Sequence, residues 1–131
     1  MIQLEEAKER LILVGVSEQD GDDTEDSMEE LKELVATAGA SVAGMVIQKR
    51  ETMHPGTYVG KGKVEEIREL LIETQATGIV CDDELSPAQL RNLTDLLDIK
   101  VMDRTLIILD IFAMRASTNE GKIQEIGRAH V

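Results

Sequence analysis

Short apolar runs alternate with stretches of helical period along this chain. Residues 10–16, RLILVGV, form a continuous apolar run, which predicts a strand buried on both faces. An acidic loop follows. Leu31, Leu34, Val35 and Ala38 then recur at helical spacing, with Ser27 and Glu30 in capping-box register and Gly39 placed to end the helix. SVAGMVIQ (41–48) predicts a second strand, which KRETMHPG breaks; Pro55 pushes His54 towards an extended conformation. TYV adds a brief extended piece. From Lys63, the residues Val64, Ile67, Leu70 and Leu71 mark a second amphipathic helix ending near Gln75. TGIVCDD (77–83) reads as a strand ending in acid. SPAQLRNLTDLL carries the clearest local signal: Ser86 as N-cap, Pro87 at the first helical position, Gln89 at the third, and Leu90, Leu93, Leu96 and Leu97 as the buried stripe. IKVMD (99–103) is a short strand, after which Asp103 caps a helix beginning RTLIILDIFAMRA.

Strands alternating with helices predict an α/β fold: a small, mostly parallel sheet with flanking helices and right-handed crossovers, followed by the truncated start of a helical subdomain. The last helix is apolar nearly all round, with only Asp110 and Arg115 interrupting it before Ser117. Such a helix is expected to be buried on several sides and to want a neighbour that this domain does not provide. The chain therefore divides into an α/β domain (1–103), a helix leading towards a further subdomain (104–124), and a tail (125–131). The tail, EIGRAHV, follows no periodicity, reads as non-native and is excluded from fold reasoning.

At 131 residues the chain has room for one core without disulfide staples. Tyr58 and Phe112 are the only Tyr, Phe or Trp residues, so that core must be aliphatic. The formal net charge of −12 disfavours nucleic acid and anionic membrane at long range, so contact with RNA would need a local basic patch. Lys49, Arg50, Lys61 and Lys63 supply one, whereas residues 17–30 concentrate acid. Cys81 is the only cysteine and lies in an apolar context, which predicts a buried structural thiol in a reducing compartment. A charged N-terminus and the absence of any run near the roughly 20 apolar residues of a membrane span predict a cytoplasmic protein.

HPGTYVGKGKVEEI (54–67) resembles a nucleotide loop but fails its spacing. Three residues rather than four separate Gly56 from Gly60, and Gly62 stands where a magnesium-binding hydroxyl should follow Lys61. Glu65 occupies the third glycine position of a dinucleotide fingerprint. Two readings remain: a generic anion site at a helix N-terminus, with Lys49, Arg50, Lys61 and Lys63 around it, or a tight connection that needs glycine for steric reasons. Asp82, Asp83 and Glu84 end a strand where α/β ligand sites lie, so they are candidates for magnesium or general-base work; a structural or partner-contacting loop is the competing reading. Arg104, beside Asp103 and Thr105, is expected to pair with Asp82, Asp83 or Asp110. His54 and His130 do not make a metal site, and DGDDTEDSMEE lacks the ligand order of a calcium loop.

HPGTYVGKGKVEEI, DDELSPAQLRNL and VMDRTLIILDIFAMRA together resemble the N-terminal domain of HflX, a family of ribosome-associated GTPases, over about residues 8–124. The resemblance carries a signature of Tyr58, Gly60, Lys61, Gly62, Lys63, Asp82, Glu84, Leu85, Gln89, Asn92, Asp103, Arg104, Thr105 and Arg115. It implies a monomeric binding and regulatory domain that precedes a helical hairpin and a GTPase domain. It also implies association with the large (50S) ribosomal subunit, including its rRNA, and a role in splitting or rescuing stalled ribosomes. GTP and Mg2+ would belong to the GTPase domain, with no cofactor in this part. The alternative is a stand-alone ATP-binding domain that uses the glycine-lysine loop.

Overall fold

The computed structural model describes residues 8–116. His130, the predicted continuation of the last helix to residue 124 and the tail 125–131 lie outside the described residues. The elements are β1 (Arg10–Ser17), α1 (Thr24–Thr37), β2 (Ser41–Lys49), α2 (Lys61–Thr74), β3 (Gly78–Cys81), α3 (Pro87–Leu97) and β4 (Lys100–Asp103). A last helix, α4, covers residues 104–116.

The strands form one sheet of order β2-β1-β3-β4, and every pairing in it is parallel. β1 lies inside, with Leu11 to Val14 completely buried, as its continuous apolar run requires. Alternate residues of the strands feed two aliphatic clusters, one on each face. Ile12, Val14, Ile79 and Cys81 pack with Val64, Ile67 and Leu71 of α2 and Leu93 and Leu97 of α3. On the opposite face, Leu11, Leu13, Val80 and Met102 pack with Met28, Leu31 and Val35 of α1 and with Ile107 and Ile111 of α4. The result is a three-layer α/β/α unit.

Local signals account for most boundaries. At α3, Ser86 Oγ accepts from Gln89 N at 3.1 Å while Gln89 Oε1 accepts from Ser86 N at 2.9 Å, the reciprocal capping box that the sequence predicts. Asp103 Oδ1 accepts from Leu106 N at 2.9 Å and so opens α4. Gly39 (φ +88°) ends α1 in a Schellman turn, with Gly39 N donating to Ala36 O and Ala40 N to Val35 O.

Other expectations need correction. The Ser27–Glu30 capping box does not form, because the N-cap of α1 is Asp23, four residues earlier: Asp22 Oδ1 accepts from Thr24 N at 3.2 Å and its Oδ2 from Glu18 N at 3.1 Å. Ser27 therefore lies inside the helix, its N donating to Asp23 O. α2 begins at Lys61, not Lys63, because Gly60 adopts the extended conformation of an N-cap, so Lys61 and Gly62 are helical. The strand expected over 77–83 narrows to Gly78–Cys81, and the TYV piece reduces to a single antiparallel bridge between His54 and Tyr58. The last helix buries only Ile107 and Ile111 fully, and leaves Leu109 and Phe112 more than half exposed.

Two substitutions grade these contacts. Ser86→Ala removes one half of the capping box and should cost about 1 kcal/mol in urea unfolding. Gly78→Ala places a methyl 2.8 Å from the Lys100 carbonyl oxygen, where backbone has to shift, and should cost about 2 kcal/mol.

Candidate functional site

The strand order turns around β1: the chain leaves β1 for β2 on one side and returns to β3 on the other. In open α/β sheets, ligand crevices lie beyond the carboxyl ends of strands at such a reversal. Here that edge carries a cavity of about 620 Å³, whose walls include Val16, Asp22, Ser27, Thr52, Asp82 and Asp83.

Arg104 braces this edge. Its Nη2 donates to Asp82 Oδ1 at 2.6 Å, to Ser27 O at 2.6 Å and to Ser27 Oγ at 3.0 Å; its Nε donates to Asp82 Oδ1 at 3.0 Å. Glu30 adds a longer contact at 3.4 Å. One guanidinium thus joins the start of α4, the end of β3 and the first turns of α1. Of the three partners expected for Arg104, Asp82 is the one the structure selects. Asp110 lies on the exposed side of α4, and Asp83 is taken by Tyr58, whose hydroxyl donates to Asp83 Oδ2 at 2.5 Å. Burial and then the hydrogen bond to Asp83 push the Tyr58 hydroxyl well above the ordinary phenol range. Asp103 also serves twice, since its second oxygen accepts from Leu85 N at 2.8 Å.

Residues 50–60 are held in the same manner. Gln48 is buried in β2; its Nε2 donates to Thr52 O at 3.2 Å and its Oε1 accepts from Gly60 N at 2.7 Å. From α3, Gln89 Nε2 donates to His54 O and Asn92 Nδ2 to Gly56 O, each at 2.9 Å. Tyr58 is fully buried with φ +67°, a conformation that this network sustains. The signature residues Tyr58, Gln89 and Asn92 therefore hold the loop.

The four cations divide. Arg50 pairs with Asp20 at 3.1 Å and Lys63 with Glu66 at 2.8 Å, whereas Lys49 and Lys61 form no ion pair among the described residues. Lys49, Gly60, Gly62 and Lys63 share a cavity of about 570 Å³ with Glu51 and Glu66. Two carboxylates in its wall make it mixed in charge, unlike a dedicated polyphosphate cradle. Glu84, Thr105 and Arg115 are exposed. Burial first, and then the carboxylates of Asp103, Asp83 and Asp82, push the Cys81 thiol far above the range in which a thiolate would react. Among the described residues, no group of three His, Cys, Asp or Glu side chains is placed to hold a metal ion.

Sequence reasoning missed the roles of Gln48 and Asp22, and gave Ser27 to a capping box when its partner is Arg104. Gln48 had a readable signal, because a polar residue at the end of an apolar strand run needs a buried partner. Ser27 had none, since its partner lies 77 positions away.

The GTP-binding GTPase N-terminal family model matches residues 25–113. GTPase HflX of Lacrimispora saccharolytica is 64% identical over 124 residues, covering 95% of this chain and 29% of that relative. GTPase HflX of Escherichia coli K12 is 43% identical over 119 residues, covering 91% and 28%. The chain thus spans under a third of the length of these curated relatives. Among solved structures, a mutation variant of SsGBP superposes with a TM-score of 0.64 at 25% identity, over 91% of this chain and 37% of that one. A GTP-binding protein from Sulfolobus solfataricus in complex with GDP shares the fold, at a TM-score of 0.60 and 21% identity over 79% of this chain and 30% of that one.

Removing the brace should be expensive. Arg104→Met leaves the Asp82 carboxylate buried without its partner and should lower stability by about 3 kcal/mol in urea titration, whereas Tyr58→Phe should cost about 1 kcal/mol. Hydrogen bonds from Thr24, first from its side chain, hold the Asp22 carboxyl down to about 2, with Gln19 and Ser17 adding to the effect and desolvation opposing it. A depressed folded pKa stabilises above the unfolded value of 3.8, and that contribution is lost as pH falls towards 2. The stability difference between wild type and Asp22→Ala should therefore be largest at neutral pH and shrink over this acidic window.

Proposed function

The chain belongs to the GTP-binding GTPase N-terminal family represented in the HflX GTPases, and from that membership we propose that it is the ribosome-binding and regulatory domain of such a GTPase. In this reading it docks on the large ribosomal subunit, including its rRNA. In the parent protein a helical hairpin connects it to a GTPase domain, which holds GTP and Mg2+ and times release from stalled ribosomes. The domain is a cytoplasmic monomer.

One observation carries the reading. Several of the polar residues that mark this domain are committed to its own frame: Arg104 to Asp82 and Ser27, Tyr58 to Asp83, and Gln89 and Asn92 to the 54–60 loop. They fix the shape of a surface. Lys49 and Lys61, free of internal ion pairs among the described residues, remain to meet phosphate. The pattern G-x-x-x-x-G-K-[ST] does not occur in the chain, which supports placing nucleotide hydrolysis elsewhere in the parent.

Binding of the chain to purified large subunits should weaken with salt. Two phosphate contacts by Lys49 and Lys61 give a slope of roughly −1.5 in log K against log salt, and Lys49→Glu with Lys61→Glu should flatten it. A salt-independent affinity would overturn the patch. The isolated chain should not turn over GTP. Saturable ATP binding in equilibrium dialysis, lost in Lys61→Ala, would instead support the stand-alone nucleotide-binding reading.

A further inference from the structure

The two edges of the sheet are finished differently. β4 is four residues long and opens on Lys100, a short and charged edge. β2 is nine residues long, contains no proline and carries no charge before Lys49. Among the described residues nothing pairs with its outer side, where Val42 is 37% exposed. An edge strand leaves the N–H and C=O groups of alternate residues unpaired, and soluble proteins ordinarily blunt edges of this length.

Cavities flank the same strand on both faces. The cavity of about 570 Å³ opens on the α2 side; one of about 200 Å³ opens on the α1 side, and Ile47 and Lys49 of β2 line both. A strand laid along an edge sends successive side chains to opposite faces, so backbone pairing with pockets for alternate side chains is the geometry of strand addition. The charges choose the occupant. The α1-side cavity is walled by Asp20, Asp22 and Glu25 with Lys49; Arg50 pairs with Asp20 beside it, which still leaves acid in excess. The α2-side cavity balances Glu51 and Glu66 against Lys49 and Lys63. A second copy of this chain would bring another −12 of formal charge to the edge; a basic segment would be drawn to it.

We propose that β2 is a strand-addition site for an extended segment of a basic partner protein, whose backbone pairs along Ser41–Lys49 and whose lysine or arginine side chain enters the α1-side cavity. The neighbouring side chain, facing α2, is neutral and polar. This site stands apart from the phosphate-contact reading, because it needs neither nucleic acid nor Lys61.

The probe is a nine-residue threonine-rich peptide, blocked at both ends, with a central lysine, titrated into the isotope-labelled chain. Its counterpart carries glutamate at the centre. The lysine peptide should bind saturably, shift the β2 amides and slow their hydrogen exchange. Affinity should fall about fivefold with Glu25→Lys, an exposed site that leaves the circular dichroism spectrum unchanged, and about as much with the glutamate peptide. Four outcomes would overturn the proposal: no change at the outward-facing β2 amides, those not bonded to β1, at millimolar peptide; equal affinity for the two peptides; outward-facing β2 amides already protected in the free monomer; or protection that appears with chain concentration and a doubled mass, which would assign the edge to a second copy.

Discussion

A parallel sheet of aliphatic strands must be covered on both faces, and this chain meets that demand with two helices to a face. α2 and α3 cover one side of β1 and β3, and α1 and α4 cover the other. With almost no aromatic volume available, the seal depends on many small aliphatic contacts, so each helix has to sit at a defined height over the sheet. Arg104 sets that height for one face. It ties the first residue of α4 to the end of β3 and to α1, and Ile107 and Ile111 then fall onto Leu13, Val80 and Met102. The first turns of α4 are thus part of the core, because without them one face of the sheet would be half bare.

The same economy explains the loop between β2 and α2. Its glycines and lysines suggest a cradle for a ligand, yet much of the backbone between residues 52 and 60 is taken by protein partners. Gln48 holds both ends, Tyr58 is sunk into the α2–α3 cluster, and α3 reaches across with Gln89 and Asn92. A loop secured at this many points presents a fixed contour.

Much of the fold was legible because it rests on local rules. Hydrophobic period alone separates β1 from α1 and β3 from α3, and Ser86, Pro87 and Gln89 announce α3 without help from the rest of the chain. Legibility failed where a distant partner or a competing local bond decided the outcome. Ser27 and Glu30 match a capping box, but Asp22 sits earlier and binds Thr24 N first, so the helix starts there. Lys61 and Gly62 look like loop residues, yet Gly60 turns the chain and they enter the helix. Asp82 and Asp83, with Glu84, read also as candidates for magnesium or general-base work, and Asp103 as the cap of α4. Only the arrival of Arg104, Tyr58 and Leu85 N in three dimensions gives each carboxylate a structural partner.

What the interior consumes determines what the surface has left to offer. Tyr58, Asp82, Gln89, Asn92, Asp103 and Arg104 spend their bonding groups inside, so what is left to offer is Lys61, Glu84, Thr105 and Arg115 together with elements that the core does not use. One is the outer side of α4, where Leu109 and Phe112 stand exposed while Ile107 and Ile111 anchor the helix from below. Another is the long uncharged edge of β2. Both are backbone-scale features, held by a helix axis and a strand direction instead of single flexible side chains, and both are positioned by the buried polar frame. The acidic surface around them then acts as a filter. It slows approach by other polyanions except where Lys49 and Lys61 interrupt it, and it favours partners that bring positive charge to the sheet edge.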